Sequence, residues 1–346
     1  MSETSKEINI SGVTIVVSQD VNEVKNLAEQ GYTPVECSFG LTNTIVDKYE
    51  MDHHGLEYSH KPGVSINAIE NYYGVKKDDP KFVANHIDAD NTFAIAAMAG
   101  LIPDTRDMRK FAKTIADMDI DPIRDENKIL QMPGIDRVFL FEQMTDGMKW
   151  TSENMKKSIQ TIVEICNLPK GDPKLKQAVK VWKERVAAAK DDMKNGGQKM
   201  GAVYTINKPK TWGFDIWYER QEDKGPSTSA KGWKNPIVVT LSEEKVITFG
   251  TPKDEVAEEI FGSEIIEDKN GEKVKISGIT RLCKKLNKVY GCPPESGFGG
   301  HPSIGGSPRG QKMTEEDLKK CVQVVNDVIA QQNMMKTMMS SKALRR

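Results

Sequence analysis

The sequence predicts an α/β protein of two domains, and three observations predict it. Strand-like runs alternate with helical stretches through the first 120 residues, the pattern of a largely parallel sheet. A Lys-, Glu- and Ala-rich stretch over residues 151–200 reads as helical. Strand-like runs then resume beyond it. At 346 residues the chain is long enough for two cores. The expected division is a domain over 1–150, a helical linker over 151–200 and a smaller α/β domain over 201–346.

The elements follow in order. Ile10 to Val17 ends in a β-branched run and reads as a strand. Val21, Val24, Leu27 and Ala28 lie at helix spacing, Gly31 stops that helix, and Tyr32 to Cys37 reads as a second, short strand. Residues 91–100 are apolar and Ala-rich, a buried helix opening just after an acidic cluster. Residues 106–119 form another helix, with Met108, Phe111, Ile115 and Met118 on its apolar face. The helical stretch 151–200 is broken at Pro169–Pro173, and Asn195-Gly196-Gly197 ends it. Phe214–Tyr218, Ile237–Leu241 and Val246–Phe249 read as strands, with a polar loop over 221–235. Thr314 and Asp317 have capping-box spacing ahead of a helix with Leu318, Val322, Val325 and Ile329 on one face. The Met-rich, basic tail from Asn333 is expected to fray.

Charge is uneven. Residues 1–150 hold 15 Lys+Arg against 25 Asp+Glu, so the basic excess lies in the rest of a chain whose net charge is −1. An acidic half suits a cation and a basic half suits an anionic substrate. No run of about 18 apolar residues is present, which argues against a membrane helix. Five cysteines scattered without a CxxC pair argue for reduced thiols and a cytoplasmic setting, and against a zinc ribbon or disulfide framework.

Of five histidines, four lie between residues 53 and 86, among carboxylates. Asp52-His53-His54-Gly55 is one cluster, and His86-Ile87-Asp88-Ala89-Asp90 is another. Imidazole with carboxylate suits a divalent ion, and carboxylate-rich sets lean to Mn²⁺ or Mg²⁺. On extended backbone, alternate residues share a side, so His86, Asp88 and Asp90 can converge. His60 has no acidic partner at ligand spacing and reads as ordinary. Further on, the segment 297–306 is glycine-rich, which lets backbone N–H groups approach an anion. His301, Ser303, Ser307 and Arg309 add donors there.

Met51-Asp52-His53-His54-Gly55 resembles the defining motif of the DHH phosphoesterase superfamily. His86–Asp90 resembles its HxDxD metal motif, and Gly297–Gly306 resembles the GGGHP signature of the DHH-associated C-terminal domain (RecJ-type and nanoRNase-like proteins). The resemblance implies an N-terminal DHH-type catalytic domain and a C-terminal substrate-binding domain. It implies that His53 ligates a metal, His54 faces the scissile phosphate, and Asp52 orients the pair. His86, Asp88 and Asp90 would share one or two ions, Mn²⁺ or else Mg²⁺. Glu36 stands where the family has a bridging aspartate, and a further aspartate falls at Asp117 or Asp119. Gly299, Gly300, His301, Ser307 and Arg309 would hold substrate. Two departures stand out. HIDAD follows DHH rather than preceding it, and the first strand ends in Ser18-Gln19-Asp20, which keeps at most one ligand.

The function so implied is metal-assisted hydrolysis of a phosphate ester in a nucleotide, cyclic dinucleotide or short oligonucleotide. A long-nucleic-acid exonuclease of RecJ type is less favoured, because backbone contacts would call for a stronger basic balance. A non-catalytic scaffold binding nucleic acid or protein is the reading from another class, and it has no need of these five metal-type residues.

Overall fold

The computed structural model describes residues 8–10, 12–39, 43–54, 58, 60–120, 126–211, 213–214, 216–267 and 273–343. The protein is a mixed α/β chain in two compact units: Met1–Ser38 with Asn43–Glu184, and Phe39–Thr42 with Arg185–Arg346. Among the described residues no helix is long and apolar enough to cross a membrane. All five cysteines are free.

The first unit opens with β1 (Ile8–Ile10) and β2 (Val13–Val17), then α1 (Val21–Glu29), β3 (Thr33–Val35), β4 (Cys37–Phe39), β5 (Asn43–Ile45) and α2 (Val64–Asn71). It continues with β6 (Lys81–Ala84), α3 (Ala89–Met98), α4 (Arg106–Ile120), α5 (Glu126–Ile129), α6 (Ile135–Thr145), α7 (Ser152–Asn167) and α8 (Pro173–Asp191). The single strand expected over 10–17 is instead an antiparallel hairpin, β1 against β2. Gly12 has φ +89°, a left-handed backbone that divides the run in two.

The sheet has the order β1-β2-β6-β3, with β2 and β3 both parallel to β6. Val17 and Val35 both pair with Ala84, so the three parallel strands end level. Their apolar runs fit a sheet covered on both faces. Helix α3 is buried all round from Asp90 to Met98, which its small Ala side chains allow between α2, α4 and α7. Helix α4 turns Met108, Phe111, Ala112, Ile115 and Ala116 inward, with Phe111 edge-on to Phe93 at 5.6 Å. Within the helical stretch 151–200, α7 packs on β2, α3 and α6. The division between units falls inside α8, between Glu184 and Arg185.

The second unit holds β7 (Gly197–Met200), β8 (Val203–Asn207), β9 (Glu219–Arg220), β10 (Trp233–Lys234), β11 (Val238–Leu241), β12 (Ile247–Gly250) and α9 (Asp254–Phe261). Then come β13 (Ser263–Glu267), β14 (Lys273–Ser277), α10 (Gly278–Tyr290), β15 (Gly299–Gly300), β16 (Ile304–Gly306) and α11 (Glu315–Ala343). Its main sheet runs β15-β16-β12-β11-β8-β7. Phe214–Tyr218 is not a strand: Ile216 and Trp217 both donate to the Gly213 carbonyl in a turn, and Phe214 packs on Trp217 at 4.9 Å. The loop expected over 221–235 ends in β10, paired with β9. The capping box forms, with Thr314 N donating to Asp317 Oδ2 (2.9 Å) and Asp317 N to Thr314 Oγ1 (3.2 Å). The helix it opens continues to Ala343 rather than fraying from Asn333.

Candidate metal centre

The candidate centre lies where the parallel strands stop. Glu36 follows β3 directly, and His86 stands two residues beyond β6. Because the strands end in register, both side chains start from one level, the carboxyl-end position where open α/β sheets bind ligands.

Glu36 carries the clearest local signal. Its φ is +52°, in the left-handed region, although it is not glycine. That conformation costs on the order of 1–3 kcal/mol and persists only where surroundings impose it. Here Glu36 N donates to the Met51 carbonyl at 2.8 Å, tying the β3 end to the start of the Asp52-His53-His54 segment. The kink between β3 and β4 turns a carboxylate that is 1% exposed into the cluster.

The two oxygens of Glu36 face two groups. Oε1 lies 2.8 Å from His53 Nε2 and 3.7 Å from His54 Nδ1. Asp119 Oδ2 approaches the same His53 nitrogen at 2.8 Å. Oε2 lies 3.6 Å from His86 Nε2, which meets Asp88 Oδ2 at 2.7 Å. Two ligand sets result, Glu36–His53–His54–Asp119 and Glu36–His86–Asp88, the ligand atoms of each within 4.8 Å of one another. Among the described residues, Glu36 Oε2 is buried with no hydrogen-bond partner. A buried, unsatisfied carboxylate oxygen facing imidazole and carboxylate fits a divalent cation in charge and in donor type.

Supporting residues fix these groups. Asn85 Nδ2 donates to the Ser38 carbonyl at 2.7 Å, which leaves its Oδ1 facing His86 Nδ1 at 2.6 Å. His86 Nδ1 therefore donates to Asn85, and Nε2 is presented to the cluster. Asp52 Oδ1 accepts from His54 N (2.6 Å) and Oδ2 from Ser38 Oγ (3.1 Å). Asp88 divides its oxygens: Oδ1 caps α3 by accepting from Asn91 N at 2.9 Å, while Oδ2 meets His86. Sequence reading missed Ser38, Asn85 and Asn91. A Ser or Asn beside a ligand carries no periodic or motif signal of its own.

Electrostatics record the crowding. Burial, with the charges of Asp88 and Asp90 added, pushes the Glu36 carboxyl well above the usual range. Burial also lifts Asp52 to about 6, and burial with the charge of Asp119 lifts Asp90 to about 6. For His53 burial opposes the charge, but the hydrogen bonds to Asp119 and Glu36 outweigh it and hold the imidazole well above its usual value. Burial likewise opposes the charge on Asp88, yet His86 beside it brings it down to about 2. The site demands positive charge among its carboxylates, which a protonated His53 or a bound cation supplies.

Not every expected ligand is brought in. Asp117 pairs with Lys113 at 2.8 Å on the outer face of α4, about 200° around the helix from Asp119. Asp90 lies 3.6 Å from His53 Nε2, but its carboxylate anchors a helix: Oδ2 accepts from Val64 N (2.7 Å) and Oδ1 from Ser65 N (2.9 Å), the first two residues of α2. The extended backbone that aligns His86 with Asp88 ends where Asp88 caps α3, so Asp90 is already helical. At the β2 end, Asp20 caps α1, accepting from Asn22 N and Glu23 N, and Ser18 Oγ donates to Glu23.

In the second unit, Gly299 and Gly300 form β15 against β16. Ser307 continues a strand contact, its N donating to the Ile247 carbonyl (2.8 Å) and its Oγ accepting from Ile247 N (3.2 Å). His301 is half-buried and Arg309 is exposed.

No family model matches the chain, and no curated protein does. A solved structure described as "pGpG-specific phosphodiesterase - PggH from Vibrio cholrae" is similar at 13% identity, covering 90% of this chain and 88% of that chain, with a TM-score of 0.35. So slight a likeness assigns no chemistry, which has to come from the side chains themselves.

Proposed function

We propose that this chain is a divalent-metal phosphoesterase, with Mn²⁺ the favoured ion, acting on nucleotides, cyclic dinucleotides or short oligonucleotides. The observation that carries the reading is Glu36, buried at positive φ, its two oxygens facing two separate histidine–carboxylate groups. Glu36, His53, His54 and Asp119 would hold one ion, and Glu36, His86 and Asp88 the other. The DHH-like and HIDAD segments supply four of these six residues, His53, His54, His86 and Asp88, and the resemblance they carry supports phosphate-ester chemistry.

When bound, the ions supply Lewis acidity at phosphoryl oxygens and lower the pKa of water. The protein's residues do the rest. His53, 1% exposed, is fixed between Glu36 and Asp119 and serves only as a ligand. His54 turns Nδ1 toward Glu36 and has a side chain 24% exposed, so its other ring nitrogen can donate a hydrogen bond to a substrate oxygen. Asp52 holds the His54 backbone and keeps that ring aimed. His301 and Arg309 are assigned as anion donors of the second unit; Ser307 and the glycines serve the hairpin.

The test is Mn²⁺-dependent hydrolysis of a phosphodiester, short RNA and DNA oligomers, cyclic dinucleotides and adenosine bisphosphate, with the H53A/D88A protein as control. Turnover lost in the control supports the reading, and the preferred member names the substrate. No turnover together with no bound metal by elemental analysis overturns it.

A further inference from the structure

Tryptophan is a side chain that folding normally covers. Trp182, Trp217 and Trp233 obey this, at 3%, 2% and 6% exposure, whereas Trp150 is 43% exposed. It does not stand on an idle surface. Its ring lies 5.9 Å from the His86 ring, edge-on at 65°, and His86 Nε2 faces Asp88 and Glu36 in the candidate metal centre.

The backbone carrying Trp150 is pinned on both sides. Before it, the Lys149 carbonyl accepts from Thr151 N (2.9 Å) and Asn154 Nδ2 (2.8 Å). After it, Thr151 caps α7 by accepting from Asn154 N, and Ser152 Oγ accepts from Val17 N, at the end of β2, at 2.9 Å. A backbone held by the sheet and by a helix cap, with the ring edge-on to His86, sets the indole in place, so little entropy is lost when a ligand settles on it. Apolar surface kept wet at a fixed place beside a polar site is what an aromatic ligand covers.

Resting on the phosphoesterase reading above, we propose that Trp150 is the base platform of the site: the substrate carries a nucleobase one nucleoside away from the phosphate, and that base packs on the indole. Such stacking tolerates any base, because each has a π-face. The site then selects nucleotides over other phosphate esters, without reading which base is present.

The experiment compares wild type, W150F and W150A on a dinucleotide and its abasic counterpart with Mn²⁺. Calorimetric binding of adenosine monophosphate against ribose 5-phosphate gives a readout independent of turnover. The wild type is expected to favour the base-bearing member of each pair by about ten- to a hundredfold. W150A is expected to lose most of that preference and W150F to keep most of it, with bound Mn²⁺ unaltered. A preference that survives in W150A, or is absent from the wild type, overturns the inference. So does a W150A protein that loses its Mn²⁺, since Trp150 would then merely support His86. If nothing is turned over but the Trp150-dependent binding preference is seen, the platform stands and the hydrolase reading falls.

Discussion

Two segments dominate the sequence, the His/Asp clusters near residues 52–90 and the glycine-rich run 297–306, and the structure treats them in opposite ways. The first is assembled against local preference. Glu36 adopts a left-handed backbone without being glycine, and carboxyls at Glu36, Asp52 and Asp90 are buried at raised pKa. The second is assembled in accord with local preference. Gly300 has φ +141°, and a Cβ there would lie 2.4 Å from Gly305 Cα and from the Ile304 carbonyl oxygen. A Cβ on Gly305 would lie 2.7 Å from Ile279 Cγ2. The hairpin explains its glycines by packing alone, whereas at Glu36 the bond to Met51 holds the backbone but a buried carboxylate oxygen is left without a hydrogen-bond partner among the described residues. Strain and desolvation together at one residue are the grounds on which the metal centre is proposed.

The sharpest way to break this contrast is at Glu36. E36Q keeps the shape of the side chain but removes the charge shared by both histidine groups. Turnover of the best substrate is expected to fall on the order of a thousandfold, with loss of bound Mn²⁺. The metal-free melting temperature should equal or exceed that of wild type, because a neutral amide is easier to bury than a carboxylate. Turnover within about tenfold of wild type would remove Glu36 from the centre. G300A makes the opposite prediction: stability falls by about 3 kcal/mol or more, read by chemical denaturation, since the hairpin has no room for Cβ. A G300A protein of unchanged stability would mean that this glycine is kept for something other than packing.

A pH series sharpens the first half of the contrast. Asp52 and Asp90 both titrate near 6 in the folded protein, above their unfolded value of about 3.9. Between roughly pH 4 and pH 6 the native state then binds more protons than the unfolded state, so stability falls as pH rises. The raised pKa values of Glu36 and His53 act in the same sense. Asp88, lowered to about 2, acts oppositely, but only below pH 4. Chelator-treated protein should therefore be less stable at pH 7 than at pH 5, by about 1 kcal/mol for each of these two carboxyls. Excess Mn²⁺ should raise stability more at pH 7 than at pH 5. A metal-free protein whose stability rises steadily from pH 5 to pH 7 would refute the buried-carboxylate account.

What could be read in advance follows from how far each signal reaches along the chain. Helix α4 shows in sequence because its 15 residues repeat one period, α3 because its ten residues are mostly apolar and Ala-rich, and His53, His54, His86 and Asp88 because rare residue types cluster. Which aspartate of α4 turns inward is another matter. Asp117 and Asp119 differ by two positions, about 200° around a helix, so a small error in phase exchanges the aspartate that faces His53 for one in a surface ion pair. The extended spacing of HxDxD makes Asp90 an expected ligand, and nothing short of knowing that Asp88 caps α3 places it in the first helical turn, anchoring α2. The hairpin at Gly12 follows from one backbone angle, the turn at Gly213 from two local bonds, and the indole of Trp150 beside His86 from a partner far along the chain, and none of these leaves a periodic trace.

The smallest expected effect decides a question of ancestry within the site. Three parallel strands end level, yet the side chains that reach the cluster come from two of them: Glu36 after β3 and His86 after β6. Asp20, the one metal-type side chain just beyond β2, spends its carboxylate on α1, with Asn22 N at 2.8 Å and Glu23 N at 3.3 Å. An N-cap aspartate replaced by alanine costs about 1 kcal/mol. D20A should show that loss in denaturant midpoint and nothing else, with bound Mn²⁺ and kcat/KM equal to wild type. If D20A instead loses metal, the β2 end reaches the centre in solution and α1 must unwind to let it. If the losses are confined to stability, the centre is built on two strand ends, and Glu36, with one oxygen toward each histidine group, does the joining that a ligand from the third strand would otherwise do.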